Sequence, residues 1–278
     1  MLLNRATPQG AAERVRAVIF DWAGTTVDFG SLAPLRTLER AFAEAGVAIT
    51  ESEARRDMGI AKRDHIAALL RMPRIGAAWR EKYGYAPAEK DQDTLYERFI
   101  PLQIACLKDY SQVIRGVPEI TQDLRARGIK IGSTTGYTRS MLDVLMAQAE
   151  ANGYQPDCSL SPEDVGAGRP HPFMIYAAAV KMQVYPLAAI VKVGDTEADI
   201  YEGLNAGAWS VGVAASGNGV GLSEEKFLAL RQEERASRVR KARQDLQAAG
   251  AHYVVETLAE LNAVLDDVDA RLSGKTIL

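Results

Sequence analysis

Four short segments carry residue types suited to moving a phosphoryl group. Asp21 closes the apolar run VIFD and is followed by WAGTT. Thr134 and Thr135 close a second run, IGSTT. Arg169 lies in the loop GAGRPHP, and Asp195 and Asp199 belong to GDTEAD, which follows the run IVKV. A carboxylate can attack phosphorus and form an acyl phosphate. Two anions must then approach each other, so a hard cation has to screen them. Magnesium suits that task, held by carboxylates, other oxygens and water. Asp21 and Asp195 are the candidate ligands. Thr135 and Arg169 can hold the non-bridging oxygens, and backbone N–H groups after Asp21 add donors. Asp199, one helical turn beyond Asp195, can orient the cation's surroundings or Arg169. Taken singly, an aspartate at a strand end is an ordinary turn or helix cap. The four segments together, in this order, point to phosphoryl transfer.

These residues need a scaffold that gathers strand ends. In a doubly wound α/β sheet, ligands collect beyond the carboxyl ends of the strands. The apolar run at 15–20 reads as a buried strand, and further strands are expected at 129–134, 156–160, 190–193, 209–213 and 252–255. They alternate with helices expected at 118–127, 138–151, 172–181, 197–206 and 257–272, which predicts a mostly parallel sheet with helices on both faces. Gly24, Thr25 and Thr26 form a turn after Asp21, where glycine lets backbone approach a phosphate closely.

Between about 32 and 110 the pattern changes. Leu35, Leu38, Ala41, Phe42 and Ala45 recur at helical spacing, TESE at 50–53 has the form of a capping box, and no strand is evident. That is far more chain than one crossover helix requires. It predicts an all-helical insert at 31–107 within a core formed by 1–30 and 108–278. Residues 1–14 read as a loose arm, and 223–249 as one charged helix. The RVRKAR run at 238–243 is a solvated face rather than an anion-binding patch, because Glu and Asp surround it.

The 278 residues are 47% hydrophobic and 25% charged, as expected of a globular chain. With 33 basic and 36 acidic residues the net charge is −3, so bulk nucleic-acid binding is not favoured. No apolar run reaches the roughly 18–20 residues of a membrane span, and the N-terminus lacks the form of a secretory signal. Two cysteines, Cys106 and Cys158, make no disulfide framework and read as free thiols. A cytoplasmic protein with no nucleic-acid or membrane partner is the expectation. His171 and His252 read as loop and strand residues; three histidines without paired spacing give no zinc motif.

DWAGTT at 21–26, the threonine ending IGSTT, the basic residue of GRPHP and GDTEAD at 194–199 resemble the four motifs of the haloacid dehalogenase superfamily, and the helical insert resembles its cap. The resemblance spans 15–213. It implies Asp21 as nucleophile, magnesium as cofactor, Ala23 among the metal-binding positions and Asp199 in support of the metal. One position departs from the common phosphatase pattern. Two residues after the nucleophile most members carry an aspartate that protonates the leaving alkoxide; here Ala23 stands there.

The segment MGIAKRDHI offers a way round that loss. A lysine at a cap–core cleft can form a Schiff base with a carbonyl, and the protonated imine is an electron sink. A carbon–phosphorus bond can then break with carbon leaving as a neutral enamine, which needs no acid at position 23. Lys62 is the candidate, and His65, one turn on, either moves a proton, assists imine formation or makes a hydrogen bond within the cap. Together with GSTTGYTR at 132–139, these segments resemble the phosphonatase branch of the superfamily. That resemblance implies hydrolysis of phosphonoacetaldehyde, a small-molecule phosphonate derived from 2-aminoethylphosphonate, by a magnesium-dependent homodimer. The substrate and phosphate positions would be Gly24, Thr25, Met58, Gly59, Thr135, Gly136, Tyr137 and Arg169. Met58 can equally be core, and Tyr137 a buried aromatic with a satisfied hydroxyl. Three alternatives remain: a phosphomonoesterase or mutase, which Ala23 opposes; a 2-haloacid dehalogenase, which Asp195 and Asp199 oppose; and a binding module on the same fold, whose support is Ala23 alone.

Overall fold

Every residue of AVIF is fully buried, so the strand it forms must be covered on both faces and flanked on both edges. This is β1 (Ala17–Phe20), at the centre of a six-stranded sheet with order β3-β2-β1-β4-β5-β6. The structure, a computed structural model, describes residues 13–274. The other strands are β2 (Lys130–Thr134), β3 (Cys158–Leu160), β4 (Ile190–Gly194), β5 (Trp209–Val213) and β6 (Tyr253–Val255). All five pairings are parallel. β1 lies between β2 and β4, so the strand order reverses at its end and a crevice opens there.

Five helices separate β1 from the rest of the sheet: α1 (Leu32–Glu44), α2 (Glu51–Arg56), α3 (Lys62–Arg71), α4 (Pro73–Tyr83) and α5 (Glu89–Leu107). α2 starts at the expected capping box, with the Thr50 side chain accepting from Glu53 N–H and the Glu53 carboxylate accepting from Thr50 N–H. α5 packs along α1 and α3. The core helices are α6 (Val117–Ala126), α7 (Arg139–Ala151), α8 (Phe173–Met182), α9 (Glu197–Ala206), α10 (Glu224–Ala229), α11 (Gln232–Ala248) and α12 (Leu261–Leu272). None of the helices among the described residues is long and apolar enough to cross a membrane.

The expected single helix over 223–249 is two. Leu230 and Arg231 are extended, with ψ of 148° and 145°, between α10 and α11. Phe227 and Val239 bury their side chains in the same cluster, beside Phe29. A straight helix would hold residues twelve apart about 18 Å apart along its axis and on different faces. The break brings both onto one patch, and that patch closes over the connection from β1 to α1. The loose arm expected at 1–14 falls mostly outside the described residues.

Candidate active site

Asp21 leaves the end of β1 with its N–H bonded to Val193 O (2.8 Å), and its carboxylate stands over the crevice. The turn behind it is tight. Gly24 has φ +87°, and a Cβ there would lie 2.4 Å from the Asp195 carboxylate, so only glycine lets the two motifs approach. Arg169 reaches the site from the loop before α8 with its guanidinium fully buried. Its Nη1 lies 2.7 Å from Asp21 Oδ1 and 3.0 Å from Asp199 Oδ1, and its Nε 2.9 Å from Glu202 Oε2. Nη2 donates to both the carbonyl and the hydroxyl of Thr134. Lys192, inside β4, is also fully buried and lies 2.8 Å from Asp199 and 3.4 Å from Glu202.

The charges do not balance. Arg169 and Lys192 pair with Asp21, Asp199 and Glu202, whereas among the described residues no cation pairs with Asp195. Its partners are the Thr25 hydroxyl (3.0 Å) and the Asn218 N–H (2.7 Å). Burial, then Asp21 and Asp199, push the Asp195 carboxyl well above the usual range. Burial and Asp199 likewise raise Asp21 against the pull of Arg169. Asp199 goes the other way: Arg169, Lys192 and Thr196 outweigh its burial and keep it ionised. Carboxylate oxygens of Asp21, Asp195 and Asp199 come within 4.8 Å of one another. Hard oxygen donors around uncompensated buried negative charge fit a metal cation. Asp199 has two cationic partners and caps α9 through Thr196, Asp21 shares Arg169 with Asp199 and Glu202, and Asp195 has none, so Asp195 and then Asp21 are the carboxylates with most negative charge left to balance.

A small cavity of about 20 Å³ lies between this cluster and the helical insert. Asp21, Ala23 and Arg169 line it from one side, Met58, Gly59 and Lys62 from the insert, and Thr135, Gly136 and Tyr137 from the end of β2. The seam is close: a Cβ on Gly136 would lie 2.3 Å from Ile60 O, one on Gly59 2.3 Å from Thr196 Oγ1, and Arg169 Nη1 donates to Gly59 O (3.2 Å). Lys62 is the first residue of α3 and is buried. Burial chiefly draws its ammonium down to about 8; Asp21 and Asp195 oppose this and Arg169 adds to it. Its Nζ sits 5.3 Å from the centroid of the Tyr137 ring. A buried amine of lowered pKa and a buried carboxylate thus line one small cavity.

Not every expected residue faces it. The Thr25 hydroxyl donates to Asp195 (3.0 Å) rather than into the cavity. His65 is completely buried behind Lys62, with neither ring nitrogen hydrogen-bonded. Burial and then Lys62 hold it down at about 3, so the ring is neutral. The Tyr137 hydroxyl has no hydrogen-bond partner, contrary to the expectation of a satisfied one. Lys192 and Glu202 were missed. Their signals were a lysine inside an otherwise apolar strand, and a glutamate three residues after Asp199 on the same face of α9.

The description haloacid dehalogenase-like hydrolase matches residues 15–207. The chain is 48% identical to the phosphonoacetaldehyde hydrolase of Paraburkholderia phytofirmans over 94% of this chain and 98% of that one. It is 46% identical to the protein of the same name from Bacillus cytotoxicus, over 92% and 97%. A crystal structure of a phosphonoacetaldehyde hydrolase-like protein from Oleispira antarctica superposes with TM-score 0.94 at 41% identity, covering both chains completely.

Proposed function

We propose, for a chain that belongs to the phosphonoacetaldehyde hydrolase family of the haloacid dehalogenase-like hydrolases, cleavage of the carbon–phosphorus bond of phosphonoacetaldehyde to acetaldehyde and phosphate. One observation carries the mechanistic reading: Asp21 and Lys62 line the same small cavity, with Ala23 where an alkoxide-protonating acid would stand. The insert at 31–107 serves as a cap that contributes the lysine.

The phosphonate lies against Asp21 and the Thr135 hydroxyl, while Arg169, whose N–H groups are taken up by Asp21, Asp199, Glu202, Thr134 and Gly59, holds Asp21 in place. Neutral Lys62 Nζ adds to the aldehyde carbon and water leaves, giving an imine that takes up a proton. Asp21, steered by Arg169 at 2.7 Å, attacks phosphorus in line. The electron pair of the carbon–phosphorus bond moves onto carbon and neutralises the iminium as an enamine. Water hydrolyses the aspartyl phosphate. The enamine is protonated at carbon, and water releases acetaldehyde and returns Lys62. Asp21, Asp195 and the backbone carbonyl at Ala23 would hold magnesium, which when bound supplies charge neutralisation for the attack of one anion on another. Asp199 holds Arg169 and Lys192 in register below them.

Borohydride trapping tests this reading. Reduction of the protein in the presence of phosphonoacetaldehyde is expected to add a two-carbon group to Lys62 alone, read by peptide mass. Coupled acetaldehyde release from this substrate must be fast, and p-nitrophenol release from p-nitrophenyl phosphate slow. Wild-type turnover in Lys62→Arg would sink the imine route.

A further inference from the structure

The loop after β5 touches more of the site than its sequence suggests. Ser216 O accepts the N–H of Gly30, where the chain passes from core to cap (2.7 Å), and the Ser216 hydroxyl donates to Gly24 O in the turn after Asp21 (2.7 Å). Asn218 N–H donates to Asp195 Oδ2 (2.7 Å). From the cap, Arg55 of α2 is set into this loop. Its Nη1 donates to Asn218 Oδ1 (3.0 Å) and Gly30 O (3.0 Å), and its Nη2 to Gly221 O (2.9 Å). Asn218 answers with its Nδ2 donating to Arg55 O (3.0 Å). A Cβ on Gly221 would lie 2.8 Å from the Arg55 guanidinium, so the fit is close. Glu51, one turn back on α2, holds Arg55 Nε at 2.8 Å and pre-orients the guanidinium.

We propose that Arg55 and Asn218 are positioning residues that latch the cap to the core and tie its closure to the orientation of Asp195. The reason lies in connectivity. Asn218 uses its side chain to hold the cap and its own backbone N–H to hold the metal-binding carboxylate, so neither can move without the other. The latch also borders an outer groove of about 620 Å³, which Asp195 reaches and which shares Met58 and Thr196 with the catalytic cavity. The cavity of about 20 Å³ has room for about one water and none for a substrate. Release of Arg55 frees α2 from the loop and joins the groove to the cavity, which admits substrate and loosens Asp195 in one motion. Re-forming the latch shuts the site and sets Asp195 for the cation. This deepens the function proposed above and rests on that reading for its substrate, but not for its connectivity.

The test uses the full-length protein as wild type, Asn218→Ala, Arg55→Ala, the double variant and Arg55→Lys. Magnesium affinity is measured calorimetrically on metal-free protein. Hydrogen exchange is followed across residues 51–62, and KM and kcat are measured with phosphonoacetaldehyde. Asn218→Ala keeps the backbone N–H to Asp195, so a latch that merely stabilises the fold would leave magnesium affinity unchanged. The expected result is magnesium binding weakened roughly tenfold, exchange in 51–62 accelerated by a similar factor, and KM raised more than kcat is lowered. The double variant should lose less than the sum of the two single losses, because the bond from Arg55 Nη1 to Asn218 Oδ1 is cut in both. Arg55→Lys should recover part of the loss, and it stands in for Arg55→Ala if that variant does not fold. Wild-type magnesium affinity and exchange in Asn218→Ala, with only a lower melting temperature, would overturn the proposal, as would additive losses in the double variant. If wild type itself released no acetaldehyde, the proposed function would fail, while the exchange and magnesium measurements would still decide the latch.

Discussion

Imine formation needs a neutral amine, so in the proposed route the state of Lys62 governs the first covalent step. Burial is the main cause that brings its ammonium down to about 8 from an ordinary 10.5. At pH 7 roughly one molecule in ten then carries neutral Lys62, against roughly one in three thousand for an ordinary lysine. The gain is about three-hundredfold in competent amine, before any effect of orientation. The perturbation is pH, applied to metal-free protein with acetaldehyde and excess borohydride, so that attack by the amine limits labelling. The rate of Lys62 reduction, read by peptide mass, should rise about tenfold from pH 6 to 7 and level off above a midpoint near 8. The sign follows from the amine: labelling is lost as pH falls through the folded value, because the ammonium cannot attack. Asp21 is the largest influence opposing the shift, so Asp21→Asn should move the midpoint lower still while abolishing phosphate release. A midpoint near 10.5 in wild type, or a midpoint that rises in Asp21→Asn, would refute the reasoning.

Gly136→Ala places a Cβ 2.3 Å from Ile60 O and 2.8 Å from Gly59 O, both backbone, so the cap and core must part; turnover should fall about tenfold or more with little change in melting temperature. Wild-type turnover would show that this seam need not be closed. Lys192→Met leaves Asp199 and Glu202 with Arg169 as their shared cation and one buried negative charge unpaired, and should cost about 3–5 kcal/mol in urea unfolding; a loss under about 1 kcal/mol would show that Lys192 is dispensable. Ala23→Asp restores an acid beside the nucleophile and should raise p-nitrophenyl phosphate hydrolysis at least about tenfold while lowering acetaldehyde release. An unchanged ratio of the two activities would mean that position 23 does not select the leaving group.

Much of the site was legible because its residues sit next to strong local signals. Asp21, Thr135 and Asp195 each follow a short apolar run, and parallel strands place such residues along one edge of the sheet. Lys62 was legible through the mismatch with Ala23, since an absent acid demands a leaving group that does not need one. Residues that act through another side chain were not legible. Thr25 looked like a phosphate ligand because its place in the turn is visible, but its hydroxyl's direction toward Asp195 is not. Lys192 and Glu202 meet Arg169 and Asp199 only when β4, α9 and the loop before α8 pack together.

The sequence by itself determined the order and kind of the elements, the helical insertion after β1, and the chemical types at the ends of the strands. Periodicity and turn chemistry are local, and a buried parallel sheet leaves few ways to arrange them. Tertiary structure alone decided which charges balance and which do not, the break between α10 and α11, and the meeting of Arg55 with Asn218, 163 residues later. Those facts depend on distances between side chains from separate elements, set by packing across the whole core. No spacing along the chain encodes them.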